Sequence, residues 1–518
     1  DSAPLGETLS TFLGVESDII LDIDNKSLTH RPDLWGHFGM AREFSSIFGK
    51  ELCSGFEIKG ITPDIEEQPK NVIMDKQSAG KAYLGLTIKD IHVKPSSPKV
   101  QRRLKAAGIN PKNNIVDISN YVMLEYGIPN HIFDFDLLSG DTIYVQELKE
   151  NILFQTLDEV DRRLLTGDTV VSDESGPLVI AGIMGGQKSA VSANTKNIFI
   201  EVANWVPSKV RTTSTRLGLR TDSSQRYEKS LDSNLIYRTL YRIVNLIKQE
   251  CPDSKIWGQP VYDGESLDCI DKHFINTSVN KINSVLGIKI DEKRIRDILE
   301  SLDFVITSSG EEGIRVEVPT YRATKDVEVE ADIIEEIGRI IGYDNIPSCA
   351  PDCTIKPVKL GIAKSLHRKI RKYLVLSARC NEIMTYPLVG KKLYKDTGFE
   401  IGDLELVNSL SEDAAFMRPS AVPSILSHVR LNQKNYDHFR FFEIGKVYQE
   451  NEMKFSIEEN QLVFGHYSKL GASDFINVAN EVEKLLNFLG VPSQLASPSI
   501  KFSSPVLPKI WQGIHPHE

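Results

Sequence analysis

Between Tyr83 and Asp263 the chain alternates short β-rich runs with turns. Thr142-Ile143-Tyr144-Val145, Thr169-Val170-Val171, Leu178-Val179-Ile180-Ala181 and Asn197-Ile198-Phe199-Ile200-Glu201 are strand candidates. A helix near Ser233–Glu250 closes the stretch, with Leu240, Ile243, Val244 and Ile247 on one side. This switch from a period of two to a period of 3.6 is the tightest constraint on the fold. Strands and helices must share a core, which makes the class mixed α/β and α+β.

At 518 residues the chain has room for about three or four domains, and four stretches are expected. Residues 1–66 read as an N-terminal connector with one amphipathic helix. It is entered through Thr29-His30-Arg31-Pro32-Asp33, carries Leu34, Phe38, Ala41, Phe44 and Phe48 as a stripe, and stops at Gly49. Residues 67–265 hold the strand-rich stretch. Residues 271–347 read as a small α/β module: Asp291 caps a helix bearing Ile295, Ile298, Leu299 and Leu302, and the strand Ile314–Val318 leads to a helix ending near Gly342. Residues 355–518 open with a basic amphipathic helix, Ile362–Leu376, and continue through a strand pattern, Phe439–Tyr448, and a helix near Ala479–Leu489.

Composition removes several classes. A net charge of −10 excludes a basic nucleic-acid coat, and no apolar run approaches the ~18 residues that cross a bilayer. Asp1–Gly6 has neither the charged nor the apolar region of a signal peptide. Of six cysteines only Cys349 and Cys353 are close in sequence; Cys53, Cys251, Cys269 and Cys380 stand apart. They are expected to be reduced thiols of a cytoplasmic protein, without membrane attachment.

Three clusters are candidates for chemistry. Asp332, Glu335 and Glu336 stand at i, i+3 and i+4 of a helix, with Asp326 just before it. They suit either a hard divalent cation, which takes oxygen ligands, or a solvated acidic face relieved by Arg339. Ala181-Gly182-Ile183-Met184-Gly185-Gly186-Gln187-Lys188 fails as a phosphate loop, because Gln187 separates the last glycine from the lysine. It is left as a tight turn whose bare backbone can approach a ligand. Arg216–Glu228 mixes hydroxyls with arginines, suiting an anionic or polar ligand, or simply a helix capped by Thr221 or Asp222. Asn114 and His131 lie about a short helix, where a lone histidine is more often structural than catalytic.

Taken in this order the segments resemble the β-subunit family of bacterial-type phenylalanyl-tRNA synthetases. The resemblance rests on Val116-Asp117-Ile118-Ser119-Asn120-Tyr121-Val122, His131-Ile132-Phe133-Asp134, Ala181–Gly186, Thr221–Glu228 and Ile340–Pro347. It implies that residues 67–265 are an editing domain that hydrolyses Tyr mischarged on tRNA(Phe). In such a domain His131, Glu201 and Thr221 would be the catalytic-pocket residues, and Asn114, Gly182, Gly185 and Ser223 would bind substrate. Glu201 and the Gly185 amide would read the tyrosine hydroxyl, while Thr221 and His131 would shape the space around the ester and its water. The need is physical: an apolar pocket built for Phe rejects a hydroxylated isostere by only ~10².

The same resemblance makes Asp326, Asp332, Glu335 and Glu336 ligands of a Mg²⁺ ion at the contact with a catalytic α subunit, in an assembly of two α and two β chains. Residues 271–347 would be a DNA-binding-like α/β module. Residues 355–518 would be a degenerate, catalytically inactive class II synthetase core with an antiparallel sheet. Phe439-Arg440-Phe441-Phe442-Glu443 looks like a relic of motif 2 in that core, and the Gly-x-Gly-x-Gly-x-x-Arg context of motif 3 is absent. ATP would therefore serve the holoenzyme and not be expected on this core, while the basic helix Lys364–Lys372 would either touch tRNA or be a solvated face. Where many members carry Arg before the Val-Asp segment, this chain reads Asn110-Pro111-Lys112. The family's N-terminal OB-fold and C-terminal anticodon-binding domains have no counterpart in these residues. The alternative is a non-editing scaffold that stabilises the α subunit and presents tRNA.

Overall fold

The computed structural model describes residues 5–6, 8, 11–12, 19–53, 60–265, 272–308, 313–351, 353–451, 454–469 and 475–491. Cys269 and the stretch after residue 491 lie outside them, as does the start of the notional connector. The chain separates into two units, Asp1–Ala350 and Pro351–Glu518.

In the first unit the apolar stripe of the connector forms helix α1 (His37–Phe48), closed by Gly49. It begins later than its sequence suggests, because Pro32–Trp35 winds into a 3₁₀ turn and Gly36 then lies extended (φ −136°, ψ 153°). Strands β1 (Asn71–Met74) and β2 (Gly80–Lys89) follow, then helices α2 (Pro98–Ala106) and α3 (Asn114–Tyr126). Next come β3 (Asn130–Asp134), β4 (Thr142–Glu147), and the hairpin of β5 (Ile152–Gln155) and β6 (Asp161–Leu164). Strands β7 (Thr169–Asp173), β8 (Gly176–Ile180), β9 (Met184–Gly185) and β10 (Ile198–Trp205) lead to α4 (Pro207–Arg216), α5 (Asp222–Tyr227) and α6 (Leu235–Glu250). Strand β11 (Lys255–Gly264) completes the set.

Two sheets result, in the orders β1-β4-β7-β8-β9 and β11-β2-β10-β3. Every residue of β10 is buried, so this strand is covered on both faces and its apolar run is continuous rather than alternating. The amphipathic side of α6 supplies Leu240, Ile243, Val244 and Ile247 to the same core as Ile198, Ile200 and Val202.

The small module builds a sheet from β12 (Phe274–Thr277), β13 (Val305–Ser308) and β14 (Ile314–Glu317), in the order β12-β14-β13. Helices α7 (Val279–Leu286), α8 (Glu292–Ser301) and α9 (Glu330–Ile341) cover it. Asp291 caps α8 by accepting the Arg294 N–H at 2.8 Å.

The second unit opens with α10 (Ile362–Leu376). After it come β15 (Asn381–Glu382), β16 (Leu388–Val389), α11 (Lys391–Thr397), β17 (Phe416–Met417) and α12 (Val422–Asn432). The long hairpin of β18 (His438–Asn451) and β19 (Lys454–Ser468) and helix α13 (Phe475–Leu489) follow. Phe442 is fully buried among Ile370, Leu374 and Leu485, which holds α10 and α13 against the hairpin. No described helix is long and apolar enough to cross a membrane.

Candidate functional site

The register of the second sheet places the key residues in one row. Glu201 on β10 lies opposite His131 on β3 and opposite Gly85 on β2. Residues paired across an antiparallel ladder share a face, and alternate positions repeat it. Phe133 and Phe199 therefore flank the row on one side, and Tyr83 with Ala203 on the other. The result is a single carboxyl among aromatic rings: Tyr83 meets Trp205 edge-on at 6.5 Å, and Trp205 meets Tyr227 at 6.3 Å.

The tight turn packs onto this face. Gly182 sits at φ +68°, and a Cβ there would lie 2.8 Å from Cδ1 of Trp205. A Cβ on Gly185 would overlap Cε1 of His131. Both glycines are thus required by close approach of the turn to rings. Thr221 latches the turn from the other side. Its hydroxyl donates to the Ile183 carbonyl at 2.8 Å and accepts the Ser224 N–H at 3.1 Å, capping α5. Tyr227, at the end of α5, donates to the carbonyls of Pro129 (2.7 Å) and Ala203 (2.9 Å), which seats that helix over the sheet.

Electrostatics follow from burial. The Glu201 side chain accepts the Tyr83 hydroxyl at 3.0 Å through Oε2, and Oε1 has no hydrogen-bond partner among the described residues. Burial lifts its carboxyl to about 7, and the Tyr83 hydrogen bond only partly opposes that. Burial also holds the His131 imidazole down at about 4, so the ring is neutral at pH 7. Its Nε2 is buried without a partner. Tyr83 and Tyr227 are pushed well above the ordinary phenol value, by burial and by the Glu201 charge.

Glu201, His131, Gly185, Gly182 and Thr221 are therefore linked through successive contacts, with Ser223 half-buried in the first turn of α5. Asn114 is not linked to them. It is fully buried in the helical layer, its amide donating to the His92 carbonyl at 3.0 Å and its oxygen accepting the Lys94 N–H at 3.1 Å. That side chain pins a loop to the start of α3, which corrects its expected place in the pocket. Tyr83, Trp205 and Tyr227 complete the site and were not picked out by sequence reasoning. Their only signal is that they are large aromatics in strands and a short helix, as are many core residues.

The acidic helix also departs from expectation. Asp332 turns back to accept the backbone N–H groups of Glu328 (2.7 Å) and Val329 (2.8 Å), capping α9. Glu335 is exposed, whereas Glu336 is buried. Asp326 and Glu336 both engage Arg322, Glu336 also engages Arg339, and Arg339 continues to Glu43 rather than to Glu335. Burial favours the neutral form of Glu336, but the hydrogen bonds from Arg339 and Arg322 outweigh it and hold its carboxyl at about 2. Among the described residues no three carboxylate, imidazole or thiol groups gather as a metal site. The four carboxylates do not fit a Mg²⁺ ion in this arrangement, because guanidinium groups already occupy the space beside the two buried ones.

Comparison with known proteins bears on the whole chain. Residues 79–252 match the B3/4 domain, 275–343 the tRNA synthetase B5 domain, and 346–509 the phenylalanyl tRNA synthetase beta chain CLM domain. These matches mark a protein assembled from aminoacyl-tRNA synthetase domains. The phenylalanine–tRNA ligase beta subunit of Solibacter usitatus is 34% identical over 478 residues, which cover 91% of this chain and 60% of that one. Its counterpart in Leptospira interrogans is 34% identical over 505 residues, covering 95% and 61%. An N-terminal fragment of the Pyrococcus horikoshii phenylalanyl-tRNA synthetase beta subunit aligns at 16% identity, over 62% of this chain and 86% of that one, with a TM-score of 0.34. The chain belongs to the phenylalanine–tRNA ligase β-subunit family and spans about 60% of the length of these relatives.

Proposed function

We propose that the chain serves as the β subunit of a phenylalanine–tRNA ligase. It supports ATP-dependent charging of tRNA(Phe) by an α subunit and hydrolyses Tyr-tRNA(Phe) in residues 67–265. The observation that carries the editing step is Glu201: a buried carboxyl, ringed by aromatics, with one oxygen uncommitted. A phenol entering this face gains a partner at Oε1, whereas a plain benzyl group desolvates that oxygen and gives nothing back. An unmade hydrogen bond of this kind costs about 1–3 kcal/mol, and sites built to bind a hydroxyl discriminate strongly against its absence. With a carboxyl titrating at about 7, Glu201 can accept from a phenol when ionised and donate to it when protonated. His131, neutral and with Nε2 unpartnered, offers a hydrogen bond on the same row. Thr221 keeps a spare lone pair for a water while fixing the Gly182–Gly185 turn.

The experiment is deacylation of Tyr-tRNA(Phe) by the reconstituted α–β complex. The wild type should release Tyr and spare Phe, and Glu201→Ala should slow Tyr release by at least about tenfold, the loss of one buried hydrogen bond to a carboxyl. The scaffold alternative draws on a different observation: Asn114 and the Thr221 O–H are both spent on internal bonds. Absence of deacylation by the wild-type complex would decide for it.

A further inference from the structure

The two oxygens of the Glu201 carboxyl are not equivalent in this fold. Oε2 accepts the Tyr83 hydroxyl at 3.0 Å, while Oε1 has no partner among the described residues. The chain therefore already contains, on one oxygen, the contact that a tyrosine substrate needs on the other: a phenol O–H donated to a buried carboxyl.

Tyr83 is held to that task by its surroundings. Register on β2 sets it opposite Ala203, two residues along β10 from Glu201 and on the same face. Its side chain is 0% exposed. The Trp205 indole meets its ring edge-on at 6.5 Å, and Tyr227 meets the indole at 6.3 Å. Tyr227 is itself tied to the Pro129 and Ala203 carbonyls. A ring packed in this way cannot swing its hydroxyl to another acceptor, and Glu201 is its single hydrogen-bond partner among the described residues.

The titratable groups that face Glu201 are Tyr83 from β2, His131 from β3 and Tyr227 from α5. The Gly182–Gly185 turn brings none, and Glu201 makes no ion pair among the described residues. His131 is held down at about 4 and is uncharged where Glu201 titrates. The Tyr83 hydroxyl is thus the donor that supports the ionised carboxyl against burial. It also sorts the neutral form. The carbonyl oxygen of a carboxylic acid accepts better than its hydroxyl oxygen, so a bond into Oε2 steers the proton to Oε1.

We propose that Tyr83 is a positioning residue for editing: it occupies Oε2 and thereby reserves Oε1, with the titrating proton, for the phenol of the substrate. The inference rests on the reading of Glu201 as the group that recognises the tyrosine hydroxyl. Oε1 then accepts from the phenol when ionised and donates to it when protonated. The pocket holds a tyrosine side chain on both sides of the titration and gives phenylalanine nothing on either.

The test is Tyr83→Phe, which keeps the ring against Trp205 and removes only the hydroxyl. In the reconstituted α–β complex, the ratio of kcat/KM for deacylating Tyr-tRNA(Phe) over Phe-tRNA(Phe) should fall by about tenfold. A second readout does not depend on activity. The difference in urea stability between a protein and its Glu201→Gln partner should level off about one pH unit higher in the Tyr83→Phe background, because the ionised carboxyl has lost its donor. A lower melting temperature with the ratio and the levelling pH both unmoved would mean that Tyr83 is packing alone, and overturns the proposal. A moved pH with an unchanged ratio overturns the reservation of Oε1. A wild-type complex that does not deacylate Tyr-tRNA(Phe) overturns the editing reading itself, which is a separate result from an editing wild type matched by Tyr83→Phe.

Discussion

Glu201 and His131 face each other across one ladder, and burial drives both toward their neutral forms. For Glu201 the folded value of about 7 lies above the ordinary 4.5. Its contribution to stability is therefore complete below pH 4.5 and lost as pH rises through 7. For His131 the folded value of about 4 lies below the ordinary 6.5, so its contribution is complete above pH 6.5 and lost as pH falls through 4. The two slopes oppose one another over the window between, and the wild type hides both. Glu201→Gln keeps an acceptor for Tyr83 but removes the titration. Relative to wild type, urea denaturation should show little change near pH 4.5 and a gain on the order of 3 kcal/mol above pH 7. A difference between the two proteins that does not vary with pH would refute the buried, titrating carboxyl. A second residue-scale expectation concerns Gly185. Gly185→Ala forces a methyl into the His131 ring, an overpacking cost of about 1–3 kcal/mol. His131→Ala in the same protein should return most of it, and additive effects in that double-mutant cycle would mean the two do not touch.

Among the elements, most of the secondary structure was legible because period and punctuation agree. The Ile362–Leu376 stripe is α10 from end to end, Asp291 caps α8, and Thr221 caps α5 as one of the two candidates. The pocket was only half legible. Gly182, Gly185 and Thr221 stand out because a glycine run and a hydroxyl before a helix have local causes. Tyr83, Trp205 and Tyr227 do not, since a sheet register that no short-range rule encodes brings them to Glu201. Asn114 shows the reverse error: an amide at a helix start looks like a ligand group until its partners in the 92–94 loop are seen. Thr221 links the two kinds of information, being both a local cap and the long-range latch on Ile183. Thr221→Val should therefore cost more than an ordinary cap loss of about 0.5–2 kcal/mol, and it should loosen the Gly182–Gly185 turn. Hydrogen exchange checks this: faster exchange at residues 182–186 as well as in α5 is expected, and a change confined to α5 would count against the latch.

At the scale of the first unit, a buried ionic cluster joins its N-terminal stretch to the small module. Arg31 grips Asp33 (2.9 and 2.8 Å) and Glu43 (3.0 Å), Arg322 holds Asp326 and Glu336, and Arg339 holds Glu336 and Glu43. Only the carboxylates from Asp326 to Glu336 and the neighbouring Arg339 were visible in the sequence, where like charges at helical spacing invite a cation. The cations that answer them come from Arg31, far back in the chain, and from Arg322 and Arg339. Spacing cannot distinguish a guanidinium supplied by a fold from a metal supplied by solvent. The two alternatives separate on removal. Taking away Arg322, which is 1% exposed, leaves two buried carboxylates short of their counter-charge, and breaking a buried pair in this way costs about 3–5 kcal/mol. Arg322→Met should accordingly expose residues 271–347 to limited proteolysis at temperatures the wild type withstands. Exhaustive chelation of divalent ions should leave the melting temperature of this chain where it was, because the charges it would unmask are already met by arginines. A drop of several degrees on chelation, restored by Mg²⁺ alone, would show that the carboxylates rearrange around an ion and that the arginine cluster is not their resting partner.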